Sequence, residues 1–191
     1  MNYIDVYKMM KKADGVAKGF ADRDAARDII HAKETVYGTG AIKSQDPKST
    51  AFGPYQINKP TYDDIIRRHP NLSFSVGPDP KNNNAPLRID YTHKDLANMN
   101  YANRVVDTHI DDLADDLRGV LGREPTMYEL LAAYYGGVKG STDPKSKYYA
   151  GAQQYAKDAT SYQWYKTQGY KKIPQWVMDN DPLAKQQIAA K

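Results

Sequence analysis

The chain contains no cysteine. That excludes disulfide scaffolds, cysteine-ligated zinc and thiol nucleophiles, while leaving the compartment open. It also lacks any run of about eighteen apolar residues, so no segment has the composition of a membrane-spanning helix. Phenylalanine and tryptophan are scarce, at three and two residues against 16 tyrosines. Aromatic roles therefore fall to a flat apolar ring with a hydrogen-bonding tip, which suits wet clefts as well as core filler. A glycine-rich phosphate loop is missing, as is the strand–helix alternation of a nucleotide-binding sheet. His31, His69, His93 and His109 do not have the spacing of a helical zinc motif and read as solvated or packed side chains. At the N-terminus, Asp5, Lys8, Lys11, Lys12 and Asp14 interrupt the apolar residues, so the apolar stretch of a secretory signal is not expected there.

What is present is ordinary for one globular domain with a core: 191 residues, 40% hydrophobic and 26% charged. The net charge of +4 lies wholly in residues 143–191, where eight lysines face four aspartates. Such a local excess suits an anionic partner such as a cell wall or a nucleic acid, and equally a solvated surface.

The apolar spacing predicts a nearly all-helical chain. One helix is expected over 2–18, carried by Ile4, Val6, Tyr7, Met10, Ala13 and Ala17. A second follows Asp22 through Ala25, Ala26, Ile29 and Ile30 to about Glu34, with Gly38 and Gly40 to stop it. Residues 38–60 read as irregular chain with short extended pieces and a turn at Asp46-Pro47. Thr61 is a candidate cap for a short helix over 62–68, and 70–94, rich in Pro and Asn, reads as a long loop. The clearest helix is 95–121, on which Leu96, Met99, Val106, Ile110, Leu113, Leu117 and Val120 make an apolar face. Its other faces carry Asp107, Asp111, Asp112, Asp115 and Asp116, which excludes a continuous basic stripe for nucleic acid. Thr126-Met127-Tyr128-Glu129 is a capping box opening a further helix that Gly136-Gly137 ends. More helix is expected over 144–167, and Pro174 can start a last one.

General-acid chemistry near neutrality needs a carboxyl whose pKa is raised by burial, set at a helix end. Glu34 fits: it lies one turn beyond Ile29 and Ile30, toward the helix C-terminus, where the dipole disfavours the negative form. Three further segments follow it in order. They are Ala51-Phe52-Gly53-Pro54-Tyr55-Gln56, Leu131-Ala132-Ala133-Tyr134-Tyr135-Gly136-Gly137 and Tyr149-Ala150-Gly151-Ala152-Gln153-Gln154-Tyr155. With Glu34-Thr35, these resemble the soluble lytic transglycosylase domain, whose pattern is a catalytic Glu followed by Ser, then Gly-x-x-Gln, Ala-Tyr-Asn-Ala-Gly and Tyr-Ala-Glu-Thr-Arg-x-Tyr. The resemblance spans about 25–165, and the Leu121-Gly122-Arg123-Glu124-Pro125-Thr126 lead-in is similar to phage-associated members.

The resemblance implies a mainly α, lysozyme-like transglycosylase fold, with a short irregular or β segment between helices two and three. Together with the residue pattern it gives a packed N-terminal helix over 1–20, a lysozyme-like catalytic domain over 21–168 and a basic C-terminal extension over 169–191 as the expected organisation. Glu34 would be the general acid and base, cleaving the bond between N-acetylmuramic acid and N-acetylglucosamine in peptidoglycan to leave 1,6-anhydro ends. Thr35, Gly53, Tyr55, Gln56, Tyr134, Tyr135 and Tyr155 would meet the glycan strand, Gly53 by close backbone approach to the sugar and Tyr155 by hydrogen bonding toward Glu34 or the substrate. No cofactor, metal or membrane insertion is implied, and other virion proteins are conceivable partners. Three departures stand out: Thr35 for Ser, Tyr135 for the motif Asn, and Gly151 for Glu. Apart from the resemblance, Gly53 serves a turn, Gln56 a loop hydrogen bond, and Tyr134 and Tyr155 helix packing.

Two other readings compete. A true muramidase would need a second carboxylate to activate water, for which Asp46 is the candidate, and whose plainer role is to open an Asp-Pro turn. Goose-type lysozymes carry an Asp just beyond the Gly-x-x-Gln element, where this chain has Asn58. A non-catalytic wall-binding or virion structural module would have no use for a buried acid. Without a secretory signal, the expected setting is a phage virion, or a host cytoplasm with holin-dependent release.

Overall fold

The computed structural model describes residues 20–38, 48–79, 82 and 85–189, and it is mainly helical. Asp46 and the helix expected over 2–18 lie outside the described residues. Among these residues no helix is long and apolar enough to cross a membrane. The chain divides into two compact units: one contains 48–105, and the other contains 20–38 and 106–189.

In the first unit, α2 (Lys59–Arg68) is preceded by a turn closed by an isolated bridge between Phe52 and Ile57. We use α1 for Arg23–Gly38 of the second unit. The cap of α2 is Asn58, not Thr61: the Asn58 side chain accepts the Thr61 backbone N–H at 2.9 Å, and Pro60 fills the first turn where no N–H is needed. The stretch 70–94 is not the expected loop. It holds a 3-10 turn (Pro70–Ser73), strands β1 (Phe74–Asp79) and β2 (Ala85–Asp90), and a 3-10 turn (His93–Ala97) closed by a Thr92–Asp95 capping box. The paired strands thus follow α2, whereas the segment before α2 shows only the isolated bridge among its described residues. Each strand alternates, Phe74 and Val76 on one side of β1 and Leu87 and Ile89 on one side of β2, but the runs are short and interrupted by Gly77, Pro78 and Pro86, so they read as loop. Phe74 lies opposite Asp90, Ser75 opposite Ile89, Val76 opposite Arg88 and Gly77 opposite Leu87, so neither face is uniformly apolar. The core of this unit is aromatic and aliphatic together: Tyr55, Ile57, Tyr62, Ile65, Leu72, Leu96 and Tyr101 are buried. The Tyr62 and Tyr101 hydroxyls satisfy one another at 2.8 Å.

Helix α3 (Met99–Leu121) begins in the first unit and continues into the second from Val106. The second unit then adds α4 (Met127–Thr142), α5 (Tyr149–Ala159), α6 (Tyr162–Thr167), α7 (Gln175–Asn180) and α8 (Pro182–Ala189). Thr126 and Glu129 make the capping box expected for α4. Gly137, at φ 70° and ψ 167°, breaks α4 into two pieces at the site read as its end. The long helical stretch expected over 144–167 is two helices, since Ser161 opens α6 by accepting the Trp164 N–H. Residues 169–189, expected as an extension, pack into this unit: Val177 and Ala184 are fully buried, and Tyr170 Oη donates to the Ala32 carbonyl on α1.

Helix α1 lies against α4, α5 and α7 with Ala26, Ile29, Ile30 and Lys33 buried, a three- and four-residue spacing that makes one stripe. Its other side is tied to α3 by Arg27–Asp107 at 2.7 Å and Arg23–Asp111 at 2.9 Å. Helices α4 and α5 approach closely. A Cβ on Gly136 would come within 2.9 Å of Ala152 Cβ, so only a bare residue fits there.

Candidate functional site

Glu34 sits on the last turns of α1, directly after the buried stripe, with its side chain partly buried. The Tyr155 hydroxyl, from α5, donates to Glu34 Oε1 at 2.7 Å. Desolvation pushes the Glu34 carboxyl up to about 7, against the pull of the Tyr155 hydrogen bond and of the neighbouring Lys33 ammonium. A carboxyl in this state holds its proton up to neutrality and can also exist as the anion, which is what a group serving first as acid and then as base requires. Burial raises the Tyr155 phenol far above the ordinary tyrosine range, so it remains a donor at any working pH.

A second link between the same helices lies one residue back on α1 and three residues on along α5. Lys33 Nζ bonds Asp158 Oδ2 at 3.2 Å, and the lysine side chain is 2% exposed. Its ammonium lies 3.6 Å from the Trp164 ring centroid and 5.5 Å from that of Tyr155. Aromatic faces and a carboxylate replace the water that a buried cation loses. Burial draws the Lys33 ammonium down from the lysine range, while Asp158 and then Glu34 hold it up. The other Asp158 oxygen accepts from Gln154 at 2.7 Å. Sequence reading missed Lys33, Asp158 and Trp164. The signal was there, because Lys33 occupies the next position of the Ala26, Ile29, Ile30 stripe, where a lysine must be paired.

Tyr135 and Tyr134 come from α4. The Tyr135 ring stacks on Tyr155, with centroids 5.3 Å apart and planes 26° apart, and the residue is 55% exposed. Tyr134 is partly buried with its ring 5.6 Å from that of His109. Thr35 directs its hydroxyl back to the His31 carbonyl at 2.7 Å, so its proton serves its own helix. Glu34, Tyr155 and Tyr135 thus form one chain of contacts, backed by Lys33, Asp158 and Trp164.

Gly53, Tyr55 and Gln56 belong to the first unit and form its tight turn. Gly53 adopts φ 77°, and a Cβ there would lie 2.6 Å from the Leu96 carbonyl oxygen. The bare residue lets the turn approach the protein's own chain at Leu96 closely. Tyr55 is buried and donates to Asn103 Oδ1, a core position. Gln56 is in the left-handed region at φ 49°, and its Nε2 donates to the Gly53 carbonyl at 2.8 Å. A non-glycine residue held there costs on the order of 1–3 kcal/mol, which the turn's own hydrogen bonds offset. Among the described residues no cluster of His, Asp or Glu could hold a metal ion. Compared with known proteins, the chain matches no family model, no curated protein and no solved structure.

Proposed function

We propose that this protein is a lytic transglycosylase that cleaves peptidoglycan glycan strands, with Glu34 as its only acid and base. The observation that carries this reading is the pairing of a Glu34 carboxyl raised to about 7 with the Tyr155 hydroxyl at 2.7 Å. The order of motifs described above supplies the substrate class. In the proposed reaction Glu34 gives its proton to the glycosidic oxygen as the bond to the muramic acid C1 breaks. The resulting carboxylate takes the proton of that sugar's own 6-hydroxyl while O6 bonds to C1. The acid is regenerated and no water is consumed. Attack from within one sugar gains from high effective molarity, so no second carboxylate is needed to hold a nucleophile. Tyr155 keeps the carboxyl oriented through both steps.

The test is the mass of disaccharide peptides released from purified peptidoglycan. The expected products are 1,6-anhydro species, one water lighter than hydrolysis products, and Glu34→Gln should lower their release by at least about two orders of magnitude. Reducing-end products would move the protein to the muramidase class and bring Asp46 into play. Normal release by Glu34→Gln would end the assignment of Glu34, and no release by the wild type would favour a wall-binding module.

A further inference from the structure

Two departures from the transglycosylase pattern, Tyr135 and Gly151, meet at one place. A Cβ on Gly151 would lie 3.0 Å from Tyr135 Cε1 and 3.4 Å from its hydroxyl oxygen. With no side chain at 151 the ring of 135 lies close on α5, and a methyl there would push it away by a few tenths of an ångström. Once there, the ring stacks on Tyr155, whose hydroxyl reaches Glu34. Read separately, the two positions are the loss of an amide and the loss of a carboxylate. Read together, they exchange a polar pair for one aromatic ring and its seat.

Three observations say what that ring is for. It is 55% exposed although it is held on two sides, by Tyr155 and by Gly151, so its orientation is fixed while much of its surface stays open. It is one ring removed from the carboxyl, since it stacks on Tyr155 and the Tyr155 hydroxyl donates to Glu34. The apolar face of a pyranose, with its axial C–H groups, is the complement of an exposed aromatic face, as flat amphipathic rings bind groups that are apolar on one side and polar at the rim. A tyrosine fixed in place also loses little side-chain freedom when a ligand arrives. A core-packing role would bury the ring, and a solvated helix position would not need the bare residue beneath it.

We propose that Tyr135, seated on Gly151 and stacked on Tyr155, is a platform on which a sugar ring of the glycan strand stacks next to Glu34. This rests on the reading of Glu34 as a glycan-cleaving acid, and it specifies how that site holds its substrate: by ring stacking at the position where the family pattern has an amide.

Binding of an N-acetylglucosamine tetramer to the full-length chain tests it, measured by calorimetry and by the shifts of the tyrosine ring resonances. The Glu34→Gln background keeps the probe intact. Tyr135→Ala should weaken binding roughly fivefold or more, the loss expected for one aromatic stacking contact. Tyr135→Phe should bind as the parent does, because the ring carries the contact. Gly151→Ala should weaken binding in part while leaving the melting temperature unchanged or higher, since alanine favours helix but its methyl displaces the ring. Equal affinity in Tyr135→Ala and the parent would overturn the platform and leave the Glu34 reading standing. Failure of the parent to bind the tetramer would also overturn it, and the anhydro-product measurement would then judge Glu34 separately. Tyr135→Phe losing as much as Tyr135→Ala would assign the contact to the hydroxyl and likewise overturn stacking.

Discussion

The carboxyl of Glu34 illustrates how a single residue joins stability to chemistry. Its pKa rises from an ordinary 4.5 to about 7 because burial penalises the anion more than Tyr155 and Lys33 favour it. The native state therefore holds a proton that the unfolded chain releases between about pH 4.5 and 7, and stability must fall with rising pH across that window. Below 4.5 both states carry the neutral acid and nothing is lost; above 7 the full cost is present, on the order of 3 kcal/mol. Glu34→Gln keeps the shape and an acceptor for Tyr155 but cannot ionise. Denaturant unfolding should therefore find the variant and wild type nearly equal at pH 4, and the variant more stable by a few kcal/mol at pH 8. A constant difference across pH would mean that the carboxyl titrates at its ordinary value. The same group sets the expected basic limb of activity near pH 7, since the acid must begin each turnover protonated.

Helices α1 and α5 are joined by two side-chain links, Glu34 to Tyr155 and Lys33 to Asp158, and the first can be cut without disturbing the second. Tyr155→Phe leaves the ring between Tyr135 and Lys33 and removes one hydroxyl. The carboxylate then loses a hydrogen bond that favoured it, so the Glu34 pKa should move above about 7 and the basic limb of activity should follow it upward. Stability at low pH should fall by about 1 kcal/mol, the ordinary net worth of one hydrogen bond. Carboxyl titration by NMR reads the shift directly, and an unmoved pKa would leave Tyr155 only a packing role. At this scale the sequence was legible where one face of an element is uniformly buried. The α1 stripe, the α3 pattern from Val106 to Leu117 and the Thr126–Glu129 box of α4 each announce themselves locally, whereas Met99 and Val120, expected on the same α3 face, are exposed at its ends. The hairpin did not: Phe74 and Val76, and Leu87 and Ile89, do alternate with polar residues, but Gly77, Pro78 and Pro86 interrupt runs this short and make them read as turns. Nor did the seat of Tyr135, since Gly151 matters through a contact made between helices, which no local pattern encodes.

For the molecule as a whole, a basic C-terminal extension was expected over 169–191, and its described residues, 169–189, pack inward as well as carrying charge. The charges are on the outside, with Lys171, Lys172 and Lys185 exposed, while Val177 and Ala184 have no exposed surface. Tyr170 packs edge-on against Tyr165 at 4.9 Å and donates its hydroxyl to α1 at Ala32, two residues before Glu34. Asp181 caps two elements at once, accepting the N–H groups of Tyr162 and Leu183. Composition reports the surface of such a segment, and its two or three inward residues are too few to shift the average. Truncation after residue 168 therefore removes core. Uncovering Val177's site alone forfeits about 1.5–3 kcal/mol, and the open side of Tyr165 and the lost caps add to it. Against a typical total of about 5–15 kcal/mol, the shortened chain should melt well over ten degrees lower, or without a cooperative transition. Replacing Lys171, Lys172 and Lys185 by serine in the full chain should change stability by no more than about 0.5 kcal/mol, because those side chains are outside the packing. Thermal unfolding of both proteins separates the alternatives: a truncated chain that melts like the wild type would make 169–191 the appendage its composition describes, and an unstable triple-serine chain would put the stabilisation in the charges.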